Sequence, residues 1–136
     1  MPYSRSENEL VSAVMSGRLL VASPADTLAD AAHRMADRRV GAILVVEGDH
    51  LAGILTERDV LRAVARGIDE NTTVADWMTR DPETLEPDES TEHAAVLMIH
   101  GGFRHLPVTE NDEVVGMLSI RDLMRVVLED AVPRGA

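Results

Sequence analysis

Two hydroxyl–carboxylate pairs recur in the chain at one spacing, Thr56-Glu-Arg-Asp59 and Ser119-Ile-Arg-Asp122. A hydroxyl three residues ahead of a carboxylate can close a capping box: the hydroxyl accepts from an amide of the first helical turn, and the carboxylate accepts from the cap's own amide. No reaction is assembled as readily. Ser119 has Asp122 nearby but no histidine in a local motif, and Ser16 and Thr79 lack an activating base. Neither a P-loop nor a G-x-G-x-x-G run is present. His33, His50, His93, His100 and His105 include no H-x-x-x-H pair, so no metal site is expected. Cysteine is absent, which removes thiolate nucleophiles, thiolate ligands and disulfides. On the residues alone the pairs read as helix caps, and no catalytic site is assembled.

Charge narrows what can be bound. The net charge is −11, lysine is absent and all 13 basic residues are arginine. Nucleic acid and anionic membrane surfaces call for clustered cations, so neither is an expected partner. An anion bound here must be held by Arg, His or backbone amides. No apolar run approaches the roughly 20 residues of a membrane span, and the N-terminus does not resemble a signal peptide. A cytoplasmic location is expected.

The elements that position these pairs follow from an internal duplication. Shifted by 63 residues, segment 11–67 lies on 74–130 without a gap, with identity at 15 of 57 positions. Among the identities are Met15/Met78, Met35/Met98, Gly53/Gly116, Arg58/Arg121, Asp59/Asp122 and Arg62/Arg125. In the first copy Leu28, Ala31, Ala32, Met35 and Ala36 share one helix face, with Thr27 at its start and Ser90 in the same place in copy two. Ala42–Val46 reads as a buried strand, Glu47–His50 as a turn and Leu51–Leu55 as the returning strand. Gly53 inside that strand marks a bulge or a close backbone approach. A second helix runs over 57–65 with Val60, Leu61 and Val64 inward. Val11–Met15 forms a small leading helix, and a short strand lies near Leu20–Ala22. The order is α-β-α-β-β-α, twice, with repeat 1 at 7–67, a linker at 68–73 and repeat 2 at 74–130. This is an α/β (α+β) chain of two βαββα units, each with a small sheet and two helices, expected to pack about a pseudo-twofold axis. The paired methionines are core, and Trp77 is a packing residue.

The repeat period and strand order resemble a tandem pair of cystathionine β-synthase (CBS) domains, a Bateman module. The motif that carries the resemblance is G-h-h-[ST]-x-x-D, with h apolar. It stands as Gly53-Ile-Leu-Thr56-Glu-Arg-Asp59 and as Gly116-Met-Leu-Ser119-Ile-Arg-Asp122. Arg39–Val45 and Phe103–Val108 resemble the family's middle strand, and Val11–Met15 and Val74–Met78 its leading helix. The resemblance implies a stand-alone regulatory module that binds an adenine nucleotide (AMP, ADP or ATP, or NAD) in a cleft between the repeats and has no catalytic cofactor. It implies ribose contacts for Asp59 and Asp122, and phosphate contacts for Thr56 and Ser119. Adenine would lie near Leu20, Val21, Ala22 and Ile43 in one site, and near Thr84, Leu85, Leu106 and Pro107 in the other. Arg58 and Arg121 would neutralise phosphate.

The copies depart from each other where ligand contacts are implied. Copy one has Leu44 where copy two has Pro107, and Gly41-Ala42 where copy two has Arg104-His105. Arg104 and His105 suit phosphate, whereas Gly41 and Ala42 leave space. The two sites are therefore not expected to be equivalent. The second helices are apolar on more than one stripe: Val60, Leu61, Ala63 and Val64, and Leu123, Met124, Val126, Val127 and Leu128. A homodimer through these helices is expected, with an effector protein that the sequence does not name. The rival reading is a ligand-free protein–protein interaction module acting through its dimer surface.

Overall fold

The computed structural model describes residues 9–131, with backbone alone for Val127 and residues 129–131. The elements run α1 (Val11–Val14), β1 (Val21–Ala22), α2 (Leu28–Arg38), β2 (Ala42–Glu47), β3 (His50–Thr56) and α3 (Glu57–Arg66). The second copy follows with α4 (Val74–Trp77), β4 (Thr79–Arg80), α5 (Thr91–Gly101), β5 (His105–Glu110), β6 (Glu113–Ser119) and α6 (Ile120–Ala131). The expected order is present in the first copy. In the second, the strand ahead of the long helix is reduced to a single bridge, Leu85 to Val108.

Strand and helix boundaries follow local chemistry. Thr27 caps α2 by accepting from the Asp30 amide at 3.1 Å, and Ser90 caps α5 by accepting from the His93 amide at 3.0 Å. Helix α5 ends on Gly102 in the left-handed region, and α2 ends there on Arg39, the residue at the equivalent position. Gly48 (φ 60°) turns β2 into β3, whereas Asn111 and Asp112, at φ 53° and 67°, turn β5 into β6.

The compact units do not coincide with the sequence repeats. One unit is Leu19–Pro82 with Asp112–Val114; the other takes the described residues up to Arg18, Glu83–Asn111 and those from Val115 onward. Each repeat has given its leading helix to the unit built on the other. Val74 and Met78 are buried in one core with Leu28, Ala31, Met35, Ile43, Val45 and Leu55. Val11 is buried in the other with Leu85, Ala94, Met98, Leu106, Val108 and Leu118. The backbone ties are the same in kind. Val74 N–H donates to the Asp26 carbonyl (2.9 Å) and Ala75 N–H to that of Pro24 (2.9 Å); Val11 and Ser12 donate to Glu89 (2.8 Å) and Pro87 (3.0 Å).

The exchanged segments also complete the sheets. In the first unit the order is β1-β2-β3-β4, with β1 parallel to β2 and the other pairs antiparallel. Strand β4 comes from beyond α4 and pairs with Gly53 and Ile54 of β3. In the other unit Ser16 bridges Met117 of β6 in the corresponding way. The glycines permit this approach. A Cβ on Gly53 would lie 2.5 Å from the Thr79 carbonyl oxygen, and one on Gly116 2.5 Å from Met15 Sδ and 3.0 Å from the Ser16 carbonyl oxygen. The register slips beside Gly53, between Val45 and Val46, so a bulge and a close approach occur together.

Packing agrees with the expected core except on α3. Met35, Met78 and Met98 are buried, Met15 is partly buried against its core, and Trp77 packs at the margin of its own. On α3, however, Asp59 and Ala63 are the buried residues and Val60 is half-buried. Leu61 and Val64 are 69% and 56% exposed, so they do not face inward as the apolar pattern predicted. Small Ala63 takes the core position, and the larger side chains are left on the outer face.

Candidate functional site

Each hydroxyl–carboxylate pair stands where a strand runs directly into a helix. In the first copy, Thr56 ends β3 and is the N-cap of α3. Its amide donates to Asp59 Oδ2 at 2.9 Å, its hydroxyl donates to the same oxygen at 3.0 Å, and the Asp59 amide donates to Thr56 Oγ1 at 3.3 Å. In the second copy Ser119 N–H donates to Asp122 Oδ2 at 2.8 Å, and Asp122 N–H to Ser119 Oγ at 3.1 Å. Capping is therefore real in both copies, and it occupies only one carboxylate oxygen. The other, Oδ1, lies 3.8 Å from Arg62 Nη1 in the first copy and 3.6 Å from Arg125 Nη1 in the second. Those arginines are largely exposed, so the ion pairs hold the carboxylates only loosely. Both were missed as site residues, although their identity across the repeat and i,i+3 spacing from the aspartates were visible.

Amides at the helix starts are mostly in use. Glu57 N–H donates to the Gly41 carbonyl at 2.9 Å, and Ile120 N–H to the Arg104 carbonyl at 2.8 Å. With the third residue of each helix donating to the cap hydroxyl, the Arg58 and Arg121 amides are the ones left open in the first turns among the described residues. Their guanidinium groups are exposed.

The structure brings the other implied residues alongside these pairs. Ala42 pairs with Thr56 and Ile43 with Leu55, so Gly41, Ala42, Ile43, Thr56 and Asp59 share one end of the β2–β3 hairpin. Val21 pairs with Leu44 one strand over. In the second copy Leu85 N–H donates to the Pro107 carbonyl (2.9 Å) and Thr109 N–H to the Leu85 carbonyl (2.8 Å), which gathers Thr84, Leu85, Leu106 and Pro107. Ala42, Ile43, Leu85, Leu106 and Pro107 are buried. The side chains of Ile43, Leu85 and Leu106 belong to the cores, so only the backbone atoms of these three residues are left to face a ligand. Val21, Arg58, Arg104 and Arg121 are exposed, and Thr84 and His105 are half-buried. No helix is long and apolar enough to cross a membrane among the described residues, and those residues hold no group of three or more metal-ligating side chains.

The chain that holds this arrangement, a glycine-bearing strand running into a helix capped by Thr/Ser and Asp, present twice, is similar to known proteins. The family model described as the CBS domain matches residues 11–66 and again 74–129. An uncharacterized 17.7 kDa protein of Acidianus ambivalens is 35% identical over 121 residues, covering 88% of this chain and 73% of its own. The CBS domain-containing protein CBSCBSPB2 of Arabidopsis thaliana is 38% identical over 136 residues, but this chain spans only 24% of its length. Among solved structures, the CBS domain protein PAE2072 of Pyrobaculum aerophilum, complexed with AMP, is 29% identical with a TM-score of 0.80. The match covers 90% of this chain and 98% of that one. The chain belongs to the CBS-domain family and carries two of its domains in tandem.

Proposed function

We propose that the chain is a regulatory module that binds an adenine nucleotide (AMP, ADP or ATP, with NAD as a further adenosine compound) and catalyses no reaction. One observation carries the reading: in each copy the helix-start carboxylate commits Oδ2 to the cap and keeps Oδ1 on a loosely held edge. That oxygen can accept from a ribose hydroxyl without loss of the cap, and the neighbouring Arg58 or Arg121 amide and guanidinium suit phosphate. AMP bound to the Pyrobaculum relative supports the same ligand class. Binding would change a surface read by a separate effector protein in the cytoplasm.

An adenine nucleotide is expected to raise the melting temperature by several degrees at millimolar concentration, since a ligand at 100 times its Kd adds about 2.7 kcal/mol to stability. Guanine and cytosine nucleotides should do less. A panel of AMP, ADP, ATP, NAD and S-adenosylmethionine in a thermal-shift assay checks this, and no response to any of them would count against the reading. That outcome would favour a ligand-free interaction module, for which the exposed apolar helix faces are the supporting observation.

Those faces also carry the proposed homodimer. Leu61 and Val64 on α3, and Met124 and Leu128 on α6, are each more than half exposed. Apolar side chains concentrated on an outer helix face mark a surface for association. Light scattering at micromolar concentration should give twice the 14.8 kDa chain mass. Leu61→Glu with Met124→Glu should shift it to the monomer, and a native monomer would overturn the proposal.

A further inference from the structure

Successive residues of a strand direct their amides and carbonyls to opposite sides. Leu44 N–H donates to the Leu20 carbonyl at 3.1 Å, which turns the backbone groups of the next residue, Val21, away from β2. Strand β1 is outermost, so Val21 presents its N–H and C=O to an open sheet edge. In the second copy Leu85 faces β5 through both of its backbone bonds, and Thr84 therefore presents its own groups to the corresponding edge. Val21 and Thr84 thus turn the same backbone groups outward and differ in what is attached to them.

Arg34 Nη2 donates to the Val21 carbonyl at 2.6 Å. Its Nη1 lies 4.0 Å from Asp26 Oδ2, and that oxygen accepts from the Ser23 amide at 2.9 Å. The guanidinium is thus fixed from helix α2 across the outer face of β1. Repeat 2 has Leu97 at the equivalent position, packed against its own core. Among the described residues no cation reaches the Thr84 carbonyl.

An adenine ring presents an amino donor beside a ring-nitrogen acceptor, so a strand edge reads it with a carbonyl beside an N–H. At Thr84 both are open. At Val21 one of the carbonyl's two lone pairs is taken by Arg34, and an amino group approaching the other would meet the positive charge and N–H groups of the guanidinium. We infer that Arg34 closes the base position of repeat 1 to adenine, so that the chain takes one adenine nucleotide, at repeat 2. The inference rests on the nucleotide-binding reading above and assigns Arg34 as the residue that makes the two copies unequal.

The test is calorimetric titration of AMP into the full chain, Arg34→Leu and Arg34→Met. Leucine is the residue the second copy carries here, and methionine keeps an apolar stem without a donor; circular dichroism and melting of the ligand-free proteins verify folding. The native chain should bind one AMP and at least one folded variant two, with Asp59→Ala in that background removing the added site. Two AMP in the native chain, or one in both variants, would overturn the role of Arg34 while leaving nucleotide binding intact. No AMP bound by any of the three would overturn the nucleotide reading and this inference with it.

Discussion

Replacing Asp122 by glutamate is expected to weaken AMP binding at least tenfold while the ligand-free protein keeps its stability within about 0.5 kcal/mol. Glutamate is a standard partner in a capping box, so the bond from the Ser119 amide, 2.8 Å in the native chain, can be remade by the longer side chain. The added methylene, however, displaces the second carboxylate oxygen, the one that would meet ribose. A hydrogen bond to a charged group is worth about 1.5–3 kcal/mol, and its loss is one to two powers of ten in Kd. Asp59→Glu should cost less affinity, because Arg104, His105 and Pro107 are proposed to favour repeat 2 and because Arg34 holds the Val21 carbonyl in repeat 1. Titration and thermal melting of both variants, beside Asp59→Ala and Asp122→Ala, separate the roles. If the glutamate variants bind as tightly as the native chain and only the alanine variants lose stability, the aspartates are caps and nothing more.

A comparably large effect is expected at Gly53, this time on folding. Even a methyl group there would lie 2.5 Å from the Thr79 carbonyl and 3.1 Å from Met78 Sδ. The carbonyl belongs to backbone paired with β3, so it can retreat only by breaking that pairing. Gly53→Val should therefore cost about 3 kcal/mol or more, at the upper end for overpacked sites, and lower the melting temperature by roughly 10 °C. Gly17→Ala, where nothing lies within 4 Å of the added carbon, is the control and should melt as the native chain does. Equal melting of the valine variant and the control would refute the close approach.

These two predictions draw unequally on what the sequence discloses. The duplication placed the helices and both hairpins, because a 63-residue period shows twice what each copy would show weakly once, but it did not disclose β4 or the loss of the short strand ahead of α5. The hydroxyl–carboxylate pairs were visible as caps for the same reason: capping is local, within four residues. Gly53 was legible as a place where something comes close, but not what comes. The approaching segment lies in the other repeat, and no local pattern records a partner some 25 residues away. Leu61 and Val64 misled because helical spacing allowed two apolar stripes, and only tertiary packing decides that Ala63 takes the inner one. Arg34 was invisible as a site residue. In the sequence it is one charge among several on a polar helix face, and its target is a backbone carbonyl, which every residue possesses.

The exchange of leading helices makes the chain a nested structure, one unit inserted into another. Apart from Asp112–Val114, the inserted unit is one unbroken stretch, complete once Pro82 has been synthesised. The enclosing unit is different. Val11 and Ser12 leave the ribosome early, yet the carbonyls they bond, those of Glu89 and Pro87, follow more than 70 residues later, and Met117, the bridge partner of Ser16, later still. During synthesis the inner unit can bury its core first, while the opening segment waits unpaired for the last third of the chain. Sequence separation of this kind slows folding, so closure of the outer unit is the late step in assembly.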